Sequence, residues 1–190
     1  MKVLGIVCSP RKEGNTEIMM KEALTSAREA GAETELVLIA DKKIGPCDAC
    51  SSCFKTTKCH IKDDMQEIYE KIDAADGIIL GTPVYFGTVT AQCKAVMDRT
   101  FCYLPALKLK GKVAASILAV RRIGGGQTRN LLYGFFMVHG MVPVKGAIGY
   151  ARQKGEVLEA PGSGVNITAL EEARIVGTDI VQMIRRMASA

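Results

Sequence analysis

Apolar residues along the chain follow two periods, one typical of buried strands and one of amphipathic helices. Residues 2–8 form a continuous apolar run that ends at Ser9 and Pro10, which predicts a strand buried on both faces. From Asn15 to Gly31, apolar residues recur at three- and four-residue steps, which predicts a helix that ends at a glycine. The chain therefore begins with a strand, a loop and a helix.

The same alternation continues through the rest of the chain. Further strands are predicted over residues 35–40, 77–81, 112–120 and 142–148, and further helices over residues 64–73, 89–99, 127–139 and 168–187. Strands that alternate with helices imply right-handed crossovers and a parallel sheet with helices on both faces. The predicted fold class is an α/β three-layer sandwich, and its five-stranded parallel sheet favours the flavodoxin-like order 2-1-3-4-5.

Two connections exceed the ~2–6 residues that are usual in α/β proteins, which indicates functional loops. The first is a cysteine-rich insertion after the second strand, residues 42–63, and the second spans residues 150–166. The 190 residues contain no internal repeat and no sign of a second domain. Residues 1–190 are therefore predicted to form a single domain.

Composition excludes several classes of protein. Hydrophobic residues make up 48% of the chain and charged residues 24%, a balance typical of globular proteins and not of disordered ones. No apolar run reaches the ~18 residues that span a bilayer and none predicts a signal peptide, so we expect a cytoplasmic protein without a membrane segment. The net charge of +5 is scattered and aromatic residues are only 5%, which argues against nucleic-acid binding.

The loop after the first strand carries groups that suit a phosphate monoester. In an open α/β sheet, ligands bind beyond the carboxyl ends of the strands, and the free amides of a helix N-terminus attract anions. The groups in this loop are the side chains of Ser9, Arg11, Asn15 and Thr16 and the flexible backbone of Gly14. The loop matches neither G-x-G-x-x-G nor the G-K-[ST] of a P-loop, which favours a mononucleotide. Alternatively, these residues only turn the chain and cap the helix.

Loops after the third and fourth strands add groups that can enclose a planar ring. A proline rigidifies the first loop, its aromatic residues can stack, and the second loop offers backbone amides and a cation. The candidate residues are Thr82, Pro83, Val84, Tyr85, Phe86 and Gly87, then Arg121, Gly124, Gly125, Gly126 and Gln127. Taken singly, the aromatic residues fit core packing or an interface equally well, and the glycines fit a flexible turn.

These motifs resemble a known family. The segments G-x-x-x-S-P-R at residues 5–11, G-N-T at 14–16 and G-T-P-V-Y at 81–85 are similar to the NAD(P)H-dependent FMN reductase superfamily of flavodoxin-like proteins, over nearly the whole chain. Within it, the cysteine loop, with Cys47, Cys50, Cys53 and Cys59, resembles that of the iron–sulfur flavoproteins of anaerobic archaea and bacteria, which binds a [4Fe-4S] cluster. The resemblance implies FMN in the pocket of the three loops, a ferredoxin-like electron donor, and a homodimer or homotetramer.

The cysteine loop is the most specific feature of the sequence. Cys47, Cys50, Cys53 and Cys59 form a C-x2-C-x2-C-x5-C motif. Three cysteines at three-residue steps can surround a cubane cluster and a longer gap can return the fourth thiolate, which predicts one [4Fe-4S] cluster. Structural zinc, which usually takes two separated C-x2-C pairs, and unligated thiols remain the alternatives.

Other residues near this loop are given smaller roles. His60 is expected to be a surface histidine, and Cys8, Cys93 and Cys102 are expected to be small buried hydrophobes. Basic residues near the loop would suit an acidic electron donor, or simply form a solvated face: Lys42, Lys43, Lys55, Lys58 and Lys62. Residues 91–101 are a candidate interface helix.

The functional hypothesis is an electron-transfer oxidoreductase. A ferredoxin-like donor would reduce the cluster, the cluster would reduce FMN, and FMN would reduce a small molecule such as oxygen, hydrogen peroxide or a quinone. This chemistry requires no acid–base side chain, so no catalytic residue is assigned. The alternatives are an NAD(P)H-dependent FMN or quinone reductase with a structural cysteine loop, and a redox sensor without turnover.

Overall fold

A computed structural model of the chain describes residues 1–189. Its sheet contains β1 (Lys2–Val7), β2 (Glu33–Leu38), β3 (Gly77–Pro83), β4 (Val113–Val120), β5 (Val142–Pro143) and β6 (Ala147–Tyr150). The strands follow the order β2-β1-β3-β4-β5, β6 also pairs with β4, and every pairing is parallel. The predicted flavodoxin-like strand order is confirmed.

Helices cover both faces of the sheet. They are α1 (Asn15–Glu29), α2 (Cys53–Thr56), α3 (Met65–Ala74), α4 (Ala91–Arg99), α5 (Gly125–Val138) and α6 (Ala169–Ala188). Helices α1 and α6 bury their apolar residues against one face, and α3, α4 and α5 against the other. No helix within residues 1–189 is both long enough and apolar enough to cross a membrane.

Strand β1 shows why the central strands have no polar face. Val3 and Val7 pack in the core layer beneath α1 and α6, whereas Leu4 and Ile6 pack in the opposite layer. Successive side chains of a strand point to opposite faces, and both faces here are covered by helices. A continuous apolar run is the result.

The single strand predicted over residues 142–148 is wrong, because the chain forms two short strands, β5 and β6. Val113 pairs with Val142 but Ile117 pairs with Ala147, so one extra residue is inserted between the two strands. The hydroxyl of Tyr133, on α5, donates to the Val144 carbonyl (3.1 Å) and accepts from the Gly146 amide (3.0 Å). This side chain satisfies the backbone where the ladder is interrupted.

Candidate cofactor sites

A cavity of about 1200 Å³ opens at the carboxyl ends of the strands, where the three predicted loops meet. It is larger than the ~300–1,000 Å³ of ordinary ligand pockets, so a mononucleotide fits with room beside it. Of the predicted cofactor residues, those that line it are Ser9, Arg11, Gly14, Asn15, Thr16, Pro83, Val84, Tyr85, Phe86, Gly87, Arg121, Gly124 and Gln127. We call this space the nucleotide cavity.

Helix α1 points an uncapped N-terminus at the nucleotide cavity. Its N-cap residue, Gly14, offers no side chain, and the first backbone bond runs from the Ile18 amide to the Gly14 carbonyl (3.0 Å). Within residues 1–189, the amides of Asn15, Thr16 and Glu17 have no acceptor. Such orphan amides, together with the helix dipole, attract an anion.

Two predicted phosphate-binding side chains are partly occupied by the protein itself. The Ser9 hydroxyl accepts from the Arg11 amide (3.1 Å) and so stabilises the turn. The Asn15 side chain accepts from the Gly155 amide (2.8 Å) and donates to the Gln153 carbonyl (2.8 Å). Asn15 therefore holds the loop after β6 against the nucleotide cavity.

The loop after β3 holds an aromatic side chain outward on a strained backbone. Tyr85 and Thr88 exchange backbone hydrogen bonds (3.0 and 3.1 Å) around a two-residue turn, in which Phe86 and Gly87 have φ of +52° and +76°. A phenylalanine in this conformation is unusual, and Phe86 is fully exposed at the cavity rim. A Cβ on Gly124 would lie 2.8 Å from the Gly87 Cα, so the two loops touch through glycine backbone.

Three predicted cofactor residues lie outside the nucleotide cavity. Thr82 is fully buried, and its hydroxyl accepts from the Thr90 amide (3.2 Å), which fixes the start of α4. Gly125 packs against Val120 and Ile148 at the start of α5. Gly126 faces open space on the same helix. These three residues contribute to the shape of the loops, but they do not line the cavity.

A second cavity, of about 470 Å³, contains all four cysteines of the motif. We call it the cysteine cavity. Its walls are mostly apolar and come from the loop itself and from the C-terminal ends of α4 and α5. Phe54 of α2 packs edge-to-face against Phe101, with ring centroids 5.5 Å apart. Burial raises the pKa of Cys53, and negative charge at its three cysteine neighbours raises it further.

A buried ion pair closes the base of the cysteine loop. Arg99, whose side chain is fully buried at the end of α4, donates to both carboxylate oxygens of Asp63 (2.6 and 3.1 Å). It also donates to the carbonyls of Gly45 (3.0 Å) and Ile61 (3.2 Å). Asp63 in turn accepts from the Gly45 amide (2.9 Å). The two ends of the loop are thus joined through one side chain of the core.

His60 and the three cysteines outside the motif lie where the sequence analysis expects them. His60 is exposed and its Nε2 lies 2.7 Å from Asp48 Oδ2, which holds the pKa of Asp48 below its usual value. Cys8, Cys93 and Cys102 are all buried, and Cys102 also lines the cysteine cavity. Burial raises the pKa of Cys8 and of Cys102, in agreement with the expectation that they are inert.

The family model described as NADPH-dependent FMN reductase matches residues 1–155. The chain belongs to this family. It is 41% identical over 189 residues to an iron-sulfur flavoprotein of Methanocaldococcus jannaschii, covering 97% of this chain and 98% of that one. It is 42% identical over 147 residues to an iron-sulfur flavoprotein of Methanosarcina thermophila, covering 76% and 77%. The predicted resemblance is confirmed, and this member of the family is an FMN-dependent oxidoreductase.

Solved structures support the fold of this family member. A flavodoxin from Agrobacterium tumefaciens, described as a WrbA-like protein, superposes with a TM-score of 0.65 at 18% identity over 98% of each chain. At this identity the likeness concerns the fold alone.

The nucleotide cavity fits the FMN of this family. The uncapped helix offers free amides to an anion, and Arg11, Arg121 and Arg122 line the cavity without an acidic partner among residues 1–189. A phosphate monoester would supply the missing acceptor and countercharge. Which of these side chains hold FMN stays a prediction.

Sequence patterns missed one wall of the nucleotide cavity. Ala119 and Ile123 complete the β4 side, and residues 151–154 after β6 form a further wall with two cations, Arg152 and Lys154. The unusual length of the loop at 150–166 predicts a functional role, but the loop contains no motif that identifies which of its residues line the cavity.

Proposed function

We propose that this protein is an iron–sulfur flavoprotein that transfers electrons from a ferredoxin-like donor through a [4Fe-4S] cluster to FMN, and then to a small acceptor. Oxygen, hydrogen peroxide and quinones are the acceptors proposed. Residues 1–190 would form one domain, active in the cytoplasm. The single observation that carries the proposal is the presence, in one chain, of a nucleotide cavity and a separate cavity that contains four cysteines.

The shape of the cysteine cavity supports a cluster over zinc. Tetrahedral zinc with four thiolates places the sulfurs ~3.8 Å apart. Within residues 1–189, the ligand atoms of at least three residues lie within 4.8 Å of one another only at Asp48, Cys50 and His60. No three cysteines of these residues are that close, so the four thiols do not form a tetrahedron of the size that zinc requires. We propose Cys47, Cys50, Cys53 and Cys59 as the cluster ligands, which would supply one-electron chemistry beside the two-electron flavin.

The separation of the two cavities supports electron transfer between chains. Gly124 and Gln127 line the nucleotide cavity at one end of α5, and Val138 and His139 line the cysteine cavity at the other. A helix of 14 residues is about 21 Å long. Electron transfer slows steeply with distance, so we propose a homodimer or homotetramer in which the cluster of one chain serves the FMN of another.

Two surfaces are relevant to partners. Helix α4, the predicted interface, exposes mainly polar residues, whereas α5 exposes Leu131, Met137 and Val138. We propose that both helices take part in the contact between copies. Near the cysteine loop, four lysines are exposed with no acidic partner among residues 1–189, whereas Lys42 pairs with Glu67: Lys43, Lys55, Lys58 and Lys62. The four unpaired lysines support an acidic donor.

Quantification after anaerobic purification tests the proposal. We expect about four iron, four sulfide and one FMN per chain. Cys50→Ser should lose the iron and keep FMN, while Cys93→Ala, which changes a buried cysteine outside the loop, should keep both. FMN without iron in the unchanged protein would contradict the proposal and favour a flavin reductase with a structural cysteine loop.

The family match also supports a second candidate function, an NAD(P)H-dependent FMN or quinone reductase. Anaerobic mixing with NADPH alone separates the two candidates. Rapid bleaching of the flavin would favour the reductase. A flavin that stays oxidised until a reduced ferredoxin is added would favour the electron-transfer proposal.

A further inference from the structure

Arg99 has one hydrogen that the polypeptide leaves without an acceptor. A guanidinium carries five N–H hydrogens, and four of them are used by Asp63, Gly45 and Ile61. The fifth, on Nε, is buried and has no acceptor among residues 1–189. Leaving a buried donor unpaired costs ~1–3 kcal/mol, and more for a charged group. The Nε–H of Arg99 is therefore free to donate to a further acceptor.

The cysteine cavity lies next to the Arg99 side chain. Arg99 lines the cavity together with the four cysteines of the motif. The guanidinium of Arg99 donates two hydrogen bonds to the Asp63 carboxylate, and it lies close enough to the sulfur of Cys59 to interact with it. The guanidinium thus stays charged and close to one of the proposed cluster ligands.

The other orphan polar atom of this cavity cannot play the same part. His139 lines the cavity, and its Nδ1 is buried without a partner among the described residues. The Thr100 hydroxyl donates to the Met97 carbonyl (2.6 Å), so His139 Nε2 must donate to Thr100 Oγ1 (3.0 Å). Burial lowers the pKa of His139, which leaves Nδ1 as a bare acceptor. Arg99 is the donor.

We propose that Arg99 Nε–H donates a hydrogen bond to a sulfur of the cluster held by Cys47, Cys50, Cys53 and Cys59. This inference rests on the proposed function and makes Arg99 a positioning residue that tunes the cluster. Hydrogen bonds to the sulfurs are among the factors that set a cluster's reduction potential. A donor stabilises the more negative, reduced state and so raises the potential. Asp63 balances the charge of Arg99, so the remaining effect comes from the N–H dipole.

Nitrogen labelling of the unchanged holoprotein tests this bond. The protein is produced with arginine carrying ¹⁵N at Nε, purified anaerobically, reduced with dithionite, and studied by pulsed electron paramagnetic resonance. We expect a ¹⁵N hyperfine coupling to the reduced cluster. Arg99→Lys should abolish the coupling and shift the midpoint potential to a more negative value, with iron retained. Arg174→Lys, on the opposite face of the sheet, should change neither.

Each outcome decides the matter. Full iron content without a ¹⁵N coupling in the unchanged protein would overturn the role of Arg99 and leave the proposed function intact. An unaltered midpoint potential in an iron-loaded Arg99→Lys protein would overturn it as well. If Arg99→Lys fails to fold or to hold iron, the labelled unchanged protein decides alone. A preparation without iron overturns both the cluster and this bond.

Discussion

Replacing Gly177 with alanine is expected to destabilise the protein, although alanine is the better helix former. A Cβ at this position of α6 would lie 2.1 Å from the carbonyl oxygen of Ala23 and 2.9 Å from the amide nitrogen of Ala27. Both atoms belong to the backbone of α1 and cannot rotate away as a side chain would. The two helices would therefore have to separate.

The magnitudes decide the sign of this effect. Alanine gains about 1 kcal/mol of helix propensity over glycine. Relaxing the contact to the ~3.5–4.0 Å of ordinary van der Waals separation moves the helices apart by more than ~1 Å and loses dispersion contacts along both. Overpacking typically costs ~1–3 kcal/mol and occasionally more, and because the backbone of two helices must shift here we expect a cost of about 2–4 kcal/mol. We expect a net loss of about 1–3 kcal/mol, or ~2–12 °C in melting temperature for a chain of this size.

Gly134 provides a matched control in another helix. A Cβ there would meet no atom within 4 Å, so Gly134→Ala on α5 should gain up to about 1 kcal/mol. The two variants and the unchanged protein are compared by urea unfolding, followed by circular dichroism at equal FMN content. If Gly177→Ala is as stable as Gly134→Ala, the close approach of α1 and α6 is refuted.

Three further predictions concern the two sites. Asn15→Ala should weaken FMN binding about tenfold, because it removes the two hydrogen bonds to the loop after β6, worth ~0.5–1.5 kcal/mol each. Fluorescence titration with FMN measures this, with Asn130→Ala as the control. Burial would raise the pKa of Asp63, but its hydrogen bonds to Arg99 and to backbone amides lower it. The ionised carboxylate therefore stabilises the folded protein at pH values above the pKa that Asp63 has in the unfolded chain, and this stabilisation is lost as the pH falls through the pKa of the folded state. Asp63→Asn should cost about 3 kcal/mol at pH 7 and flatten the acid side of the stability curve, as measured by urea unfolding across pH. Phe86→Asn should relieve up to ~1–2 kcal/mol of backbone strain but weaken FMN binding about three- to tenfold, since a stacked ring contributes ~0.5–1.5 kcal/mol.

These three predictions are open to direct contradiction. Unchanged FMN affinity in the Asn15 variant would mean that the loop after β6 keeps its place without the tether. An equally steep acid side in the Asp63 variant would assign that slope to other carboxylates. A Phe86 variant that gains stability and binds FMN as before would leave the exposed ring with no part in the site.

The order of the elements could be predicted because its signal is local. Side chains of β1 alternate between two covered faces, so the strand is apolar throughout and recognisable within seven residues. The cysteine motif is equally local, since its spacing is visible in a window of 13 residues, Cys47 to Cys59. Patterns of this kind need no knowledge of what lies across the fold.

Interactions between distant residues could not be predicted. Asn15 forms hydrogen bonds with Gln153 and Gly155, which are 138 and 140 positions further along the chain, and no residue near Asn15 in the sequence indicates these partners. The break between β5 and β6 depends on the Tyr133 hydroxyl, which the helical pattern of α5 marks only as a half-buried aromatic. In both cases a side chain forms hydrogen bonds with the backbone of a distant segment, and the residues adjacent to that side chain in the sequence do not indicate which segment it is.

Arg99 could be predicted only in part: its burial is visible in the local sequence, but its partners are not. It falls three residues after Val96 and six after Cys93, on the same buried face of α4, so the sequence already places a cation on an apolar stripe. A buried arginine requires a countercharge, and only the fold shows that Asp63 supplies it while the carbonyls of Gly45 and Ile61 take two more hydrogens. Because these acceptors lie at the two ends of the cysteine loop, the core of the protein holds the loop closed at its base. The polypeptide alone thereby closes the loop that carries the cysteines, and the one hydrogen left over on Arg99 marks where the proposed cluster would complete the network.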